Sequence, residues 1–306
     1  MNVWNALLAL LIFPGLLYAL PMSWLMLGVE RKARARMQSR IGPPLSQPFY
    51  DMVKLLVKSP VARISADERL LTALPLLSVA SLLGALSLLP VFGTESGFAG
   101  DLVLMVGLLE MPALCLILAG YASRSIYGEV GATREAIVSI VSNVPFLGAM
   151  VAMATSVGSL RLTGIAVAMP WTVRIPALLA ILICLPVKLR LNPFSLANAE
   201  QEVLSGPLAE YDGRRLAMWE IAHGLEWVVL TGMIATLLVP PLLSNRLLQA
   251  LAFVAVSLAL VPLFTLLASA TARLKLAQAT RLLWRGASVV AALALAAALV
   301  ARHGGQ

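Results

Sequence analysis

Carboxylates are the side chains in this sequence best placed to do chemistry. Glu200, Glu202, Glu210 and Asp212 gather in one stretch, and Glu220 and Glu226 follow in the apolar run behind it. Glu135 opens another apolar run and Glu110 lies inside a third, two residues before Pro112. A carboxyl group in such surroundings either takes up and releases a proton or pairs with a cation, because a bare charge in hydrocarbon costs roughly several kcal/mol. Solvated loop carboxylates are the plainer reading of the clustered set. Glu110 has two readings, satisfaction by a neighbouring Ser or backbone group and a proton-carrying role. Glu110, Glu135, Glu200, Glu202 and Glu210 are therefore the candidate proton-transfer residues.

Cations form the second concentration. Arg31, Lys32, Arg34, Arg36 and Arg40 fall between two apolar regions, and the run stops on Gly42-Pro43-Pro44. Proline fixes the backbone there instead of leaving it loose. Such a run orients a membrane protein, and its density and rigid end also suit a shaped platform for a partner.

Redox and metal chemistry find no ligand sets. Cys115 and Cys184 stand alone in apolar runs, and His223 and His303 are isolated. Iron–sulfur sites use about four thiolates at close spacing, and no His/Cys/carboxylate group has metal-ligand spacing. A Gly-rich phosphate loop is also missing. The chain is therefore expected to bind no cofactor of its own.

The elements that must hold these residues are read from composition. The chain has 306 residues, 60% hydrophobic and only 12% charged, and a mean hydropathy of +0.89. A soluble domain would carry about twice that charged fraction. The expectation is a single all-α polytopic membrane domain over 1–306. Apolar runs long enough to cross a bilayer fall at about 4–27, 70–91, 101–122, 135–157, 173–189, 221–242, 246–268 and 284–301, eight in all. The first is too long and too weakly flanked by basic residues for a cleaved signal peptide.

Basic residues assign the sides. Nine follow the first span, two the third, four the fifth and four the seventh, which makes 19 of the 23. This bias places the loops at about 28–69, 123–134, 190–220 and 269–283 in the cytoplasm and both termini outside. It also explains the pI of 10.0 without nucleic acid. Within the first loop Pro48 starts a helical pattern in which Phe49, Met52, Val53 and Leu56 share one face, opposite Asp51, Lys54 and Lys58. Such an amphipathic helix lies on the membrane surface or against a partner.

These loops resemble a known family. Glu30-Arg31-Lys32 through Gly42-Pro43-Pro44, with Gln47-Pro48-Phe49-Tyr50-Asp51 and Lys54-Leu55-Leu56, is similar to the first loop of the core membrane subunit shared by respiratory complex I (its subunit 1) and energy-converting [NiFe]-hydrogenases. Gly131-Ala132-Thr133-Arg134-Glu135-Ala136 resembles the second loop. Pro193-Phe194, Ala199-Glu200-Gln201-Glu202 and Gly206-Pro207-Leu208-Ala209-Glu210-Tyr211 resemble the third. The Gly-Pro-Pro and Gly-Pro-Leu-x-Glu-Tyr forms look like the hydrogenase branch.

The resemblance implies a non-catalytic anchor in a bacterial or archaeal inner membrane, serving a ferredoxin-, carbon monoxide- or formate-linked hydrogen-evolving complex. Its implied partners are a [NiFe] large subunit, a small iron–sulfur subunit, a ferredoxin-like subunit and an antiporter-like membrane subunit. The [NiFe] centre and [4Fe-4S] clusters would belong to them. Candidate docking residues are Arg31, Lys32, Arg34, Arg36, Arg40, Asp51, Arg134 and Tyr211. Relatives typically carry a Glu at Lys188, a basic residue at Leu191, an Asp at Ser195 and a Glu at Asn198. These departures put ion conduction in doubt and leave anchoring intact. The runner-up within the family is the quinone-site subunit of complex I, which should keep those acidic residues. A free-standing secondary transporter is the reading from another class, and the lack of matching halves argues against it.

Overall fold

The computed structural model describes residues 15–59, 67–91, 98–196, 206–239, 243 and 245–303. Among them every regular element is helical. In chain order these are α1 (Leu16–Met37), α2 (Gln47–Val57), α3 (Glu68–Ser87), α4 (Asp101–Ala122), α5 (Ile126–Val157), α6 (Leu162–Ala168) and α7 (Trp171–Lys188). A single 3₁₀ turn (Gly206–Leu208) precedes α8 (Gly213–Leu238) and α9 (Arg246–Ala270). The last helix is compound: α10 (Leu276–Leu282) passes through a π-helical turn (Leu283–Ala287) into α11 (Ser288–His303).

Seven helices among the described residues are long and apolar enough to span a bilayer. α1 completes a further apolar run whose start, about 4–14, lies outside the described residues, so the protein is a multi-pass membrane protein of roughly eight spans. Helices are forced here, since each one satisfies its own backbone polar groups where no water can. Prolines inside six of the helices, Pro75, Pro112, Pro145, Pro176, Pro186 and Pro262 among them, are tolerated in this setting because neighbouring helices resatisfy the freed groups.

α8 is the axis of the bundle. It packs against α1, α2, α3 and α9, and is enclosed along most of its length. Trp227, Leu225, Val229 and Ala235 on different faces of it are all shut off from the surface. The second packing centre is α5, which lies against α4, α7 and α11.

The connections expected to be cytoplasmic differ from the loops read from the sequence. Helix α1 does not stop near Leu27; it runs on to Met37, so Arg31, Lys32, Arg34 and Arg36 ride on a helix. Arg34 bonds Glu30 one turn back at 2.5 Å, and Ala33 and Ala35 favour helix. The turn that follows the helix passes through Ser39 and Gly42, both in the left-handed region. A Cβ at Gly42 would come within 2.8 Å of the Ala35 Cβ, so the turn needs glycine for both space and φ. Likewise α5 begins at Ile126, which puts Gly131 to Ala136 inside a helix.

The amphipathic element is present as α2, with Pro48 in its first turn and Pro48 and Met52 buried. It is pinned to α1 by the Arg31–Asp51 ion pair at 2.7 Å and by the Trp24 and Phe49 rings, 4.9 Å apart.

Helix α7 is short, at 18 residues against 32 for α5. The chain that follows it, Leu189, Leu191, Pro193, Phe194 and Leu196, is buried in the bundle, and not spread over its surface. Irregular backbone at this depth is allowed where protein or a polar cavity surrounds it.

Candidate functional site

The early end of α7 delivers two cations into the interior. Lys188 is its last residue, and Arg190 follows in a left-handed conformation at φ 53°. A side chain other than Gly is strained there by roughly 1–3 kcal/mol, a cost that surrounding contacts must offset. The contacts are ionic. Arg190 reaches Glu226 of α8 through one guanidinium nitrogen and Glu135 of α5, at 3.5 Å, through the other. His223, one turn before Glu226, places Nδ1 3.4 Å from the same carboxylate.

Lys188 turns the other way. Its Nζ lies 2.5 Å from Glu110 Oε1 of α4 and donates to Asn143 Oδ1 of α5 at 3.1 Å. Asn143 Nδ2 donates back to Glu110 Oε2 at 2.9 Å, closing a three-membered ring of contacts. The face of Phe146 covers the ammonium at 4.3 Å, a favourable place for a desolvated cation. Two ion-pair groups therefore lie side by side, the Arg190 group buried and the Lys188 group partly so, built from α4, α5, α7 and α8.

Two cavities connect to them. A small one of about 20 Å³ is lined by Glu135, Ser139, Ser142, Lys188 and Glu226, so it touches both groups. It has room for about one water molecule. A large one of about 890 Å³ is lined by Glu30, Arg34, Arg190, Glu220, His223 and Arg273, among others. A third, of about 200 Å³, lies beneath α2 between Trp24, Arg31, Asp51, Met52 and Glu220. The sequence of groups runs from the large cavity through His223, Arg190, Glu226 and Glu135, past the small cavity, to Lys188 and Glu110. Carboxylates with hydrogen-bonded neighbours of this kind can hold and hand on protons.

The expected site residues divide on this framework. Glu110 and Glu135 are brought into one polar chain, while Glu200, Glu202 and Asn198 lie outside the described residues. Glu210 is half-buried beside the 3₁₀ turn. Glu110 is satisfied by Lys188 and Asn143, not by a serine or backbone group. Tyr211, assigned to docking, is enclosed instead. Its ring meets Trp219 edge-on at 5.8 Å, and burial pushes its phenol up to about 12. It anchors its own loop.

Asp51, also assigned to docking, is committed to Arg31 and to Gln47 Nε2 at 2.8 Å. Burial works to raise its carboxyl, but those two hydrogen bonds and the Arg31 charge hold it below its ordinary value. Of the cations, Arg36 and Arg40 are exposed, Lys32 is half-buried, and Arg34 shares its charge with Glu30. Arg134 is half-buried on α5. Ser195 and Leu191 lie in the buried segment after α7.

Sequence reasoning missed Arg190, Asn143, Glu226 and His223 as members of the site. The available signal was Arg190 itself, one residue from Leu191, where the family resemblance implies a basic side chain.

The comparisons with known proteins fit this frame. Residues 8–300 match the family model described as NADH dehydrogenase. The chain belongs to that family. It is 33% identical to hydrogenase-4 component C of Escherichia coli over 220 residues, 70% of each chain. It is 30% identical to formate hydrogenlyase subunit 4 of the same organism over 276 residues, 86% of this chain and 90% of that one. With NADH-quinone oxidoreductase subunit 8 of Thermus thermophilus it shares 32% over 257 residues, 76% and 68% of the two chains. Among solved structures, a chain of the membrane-bound sulfane sulfur reductase, an archaeal respiratory membrane complex, superimposes with a TM-score of 0.84 at 25% identity, covering 96% of this chain and 98% of that one. The protein is a membrane subunit of a complex I-like assembly.

Proposed function

We propose that this chain is the non-catalytic membrane anchor of a hydrogen-evolving [NiFe]-hydrogenase complex fed by ferredoxin, carbon monoxide or formate oxidation. The observation that carries the reading is the platform made by α1 and α2. The helical extension presents Arg36 outward and the turn after it presents Arg40, while Arg31–Asp51 and Arg34–Glu30 fix its shape. Similarity to two hydrogenase-type relatives, one nearly full length, supports the branch. On this reading the [NiFe] large subunit, the small iron–sulfur subunit and the ferredoxin-like subunit sit on this platform. The antiporter-like subunit lies alongside in the bilayer of the cell membrane, and the metal centres stay with the partners.

The quinone-site reading has the Thermus relative in its favour. Its difficulty is the large cavity, whose described wall carries Glu30, Arg31, Arg34, Arg190, Glu220 and Arg273. Sites for a ring with an isoprenoid tail are mostly apolar with a few polar groups.

The test is purification of the complex from membranes through a tag on this chain. Nickel, iron–sulfur protein and hydrogen evolution should accompany the wild type. Arg36→Glu with Arg40→Glu should stay in the membrane and lose all three, because reversing charges at a charge-complementary interface costs about 2–5 kcal/mol or more. Recovery of an NADH–quinone reductase without nickel would refute the hydrogenase assignment, and full retention in the double variant would remove the platform's docking role.

A further inference from the structure

The ring formed by Glu110, Asn143 and Lys188 has the composition of a site for a monovalent cation. One carboxylate oxygen and one amide oxygen converge on a single positive centre, at 2.5 and 3.1 Å, and an aromatic face closes a third side at 4.3 Å. The Asn143 amide is oriented by its own donation to the second Glu110 oxygen, at 2.9 Å. An amide that both donates and accepts in this way has its oxygen aimed at the cation. The occupant is part of the chain.

The direction of the Lys188 side chain is informative. Lysine near a helix end in a membrane protein ordinarily extends its stem outward, to leave the ammonium in water. Lys188 extends inward, and its side chain is only 9% exposed. Glu110 lies twelve residues from the Ala122 end of α4, about 18 Å of helix. The ammonium has therefore given up hydration to reach a partly buried carboxylate far from the ends of its helix, its side chain 25% exposed, which is tolerable only for a well-made pair.

Charge counting points the same way. Glu110, Glu135 and Glu226 are three interior carboxylates, and Lys188 and Arg190 are two fixed cations. Glu110 has a whole cation to itself. The surplus negative charge falls on Glu135 and Glu226, beside His223 and the large cavity. An ion or proton moving inward along the polar chain thus meets the occupied site last.

We infer that Lys188 is a tethered cation filling a monovalent-cation site built by Glu110 and Asn143, and that it closes the polar interior to mobile ions at that point. Glu110 is then a positioning partner of Lys188 and not an ion carrier. The inference stands whichever redox arm the platform holds, so it can fail or survive separately from the hydrogenase reading.

The test uses membrane vesicles with the assembled complex and dicyclohexylcarbodiimide, a lipid-soluble reagent that adds to carboxyl groups carrying a proton. The adduct on Glu110 is read by peptide mass spectrometry, with Glu110→Gln as background. Wild-type Glu110 should react slowly, and sodium should not change its rate. Lys188→Met should react about tenfold faster, as expected when a carboxylate loses an adjacent cation that favours its charged form. Added sodium should slow that variant by filling the vacated site. Lys188→Arg, which keeps the charge, should behave as wild type.

Equal reaction rates in wild type and Lys188→Met would overturn the inference, as would fast reaction in Lys188→Arg. Absence of sodium protection in Lys188→Met would show that no cation site exists there. Should Lys188→Met fail to assemble, wild type decides: rapid modification of its Glu110 overturns the proposal, and slow, sodium-insensitive modification upholds it.

Discussion

Arg190 serves two carboxylates from two helices with one guanidinium, whose planar fork is pre-organised and loses less freedom per hydrogen bond than a lysine ammonium. Replacing it with Met would leave Glu135 and Glu226 buried without a counter-charge. Breaking a buried pair in this way costs about 3–5 kcal/mol. Arg190→Met should therefore lower the thermal midpoint of the detergent-solubilised complex sharply, and Arg190→Lys should recover only part of the loss. Tryptophan fluorescence on heating measures both, and an unchanged midpoint would mean that Glu135 and Glu226 do not depend on this cation.

The sequence shows each of these charges singly and hides their pairing. Glu110 stands out because it interrupts an apolar run, but Asn143 and Lys188 are 33 and 78 residues away. Which side chains meet depends on the rotation of α4, α5, α7 and α8 about their axes, and hydropathy does not encode that. Arg190 was counted only as an orienting charge.

Helix α2 was legible because its stripe of Phe49, Met52, Val53 and Leu56 repeats at helical spacing and Pro48 marks its start. The extension of α1 was not, since a dense basic run reads as loop until the Glu30–Arg34 pair and the alanines are weighed. Asp51 gives α2 a dependence on pH. Its folded carboxyl lies below its ordinary value, so the Arg31–Asp51 contact is fully present above the unfolded value near 4 and fades as pH falls through the folded one. Because both side chains are about two-fifths exposed, 38% and 40%, solvent reduces the contribution to about 1 kcal/mol or less. Amide exchange in α2 should quicken modestly in acid, and Asp51→Asn should remove that dependence.

The junction of α4 and α5 sets a larger constraint. A Cβ on Gly120 would lie 2.6 Å from the Ala132 Cβ and from the Gly128 carbonyl oxygen, a backbone atom that cannot step aside. Gly120→Ala should force the helices apart at about 1–3 kcal/mol, and shift Glu110 relative to Asn143. Loss of complex yield or midpoint with Gly120→Ala, and none with the unobstructed Gly107→Ala, checks this.

The count and kind of the spans were readable because a bilayer leaves so few options for apolar chain. Their ends were less so, since α5 and α8 begin several residues before their apolar runs. Sidedness rests on the distribution of 23 basic residues. A reporter fused after Gln306 should behave as external and one inserted at Ser46 as cytoplasmic; either result reversed would require an odd number of crossings or the opposite orientation.

The π turn at Leu283–Ala287 works as a one-residue spacer in the last span. It leaves Ala287, Ala291, Ala294 and Ala298 as the shielded face of α11, which packs on α5 and α7. If the turn became an ordinary α-helix with every residue kept, everything beyond it would turn by about 100°. With α10 held in place, Val290 and Leu293 would then enter the slots that now fit Ala291 and Ala294. Deleting one residue of the turn, Gly286 for example, should therefore be borne with the alanine face in register, while inserting one residue after it should not, and a yield measurement on both variants checks this.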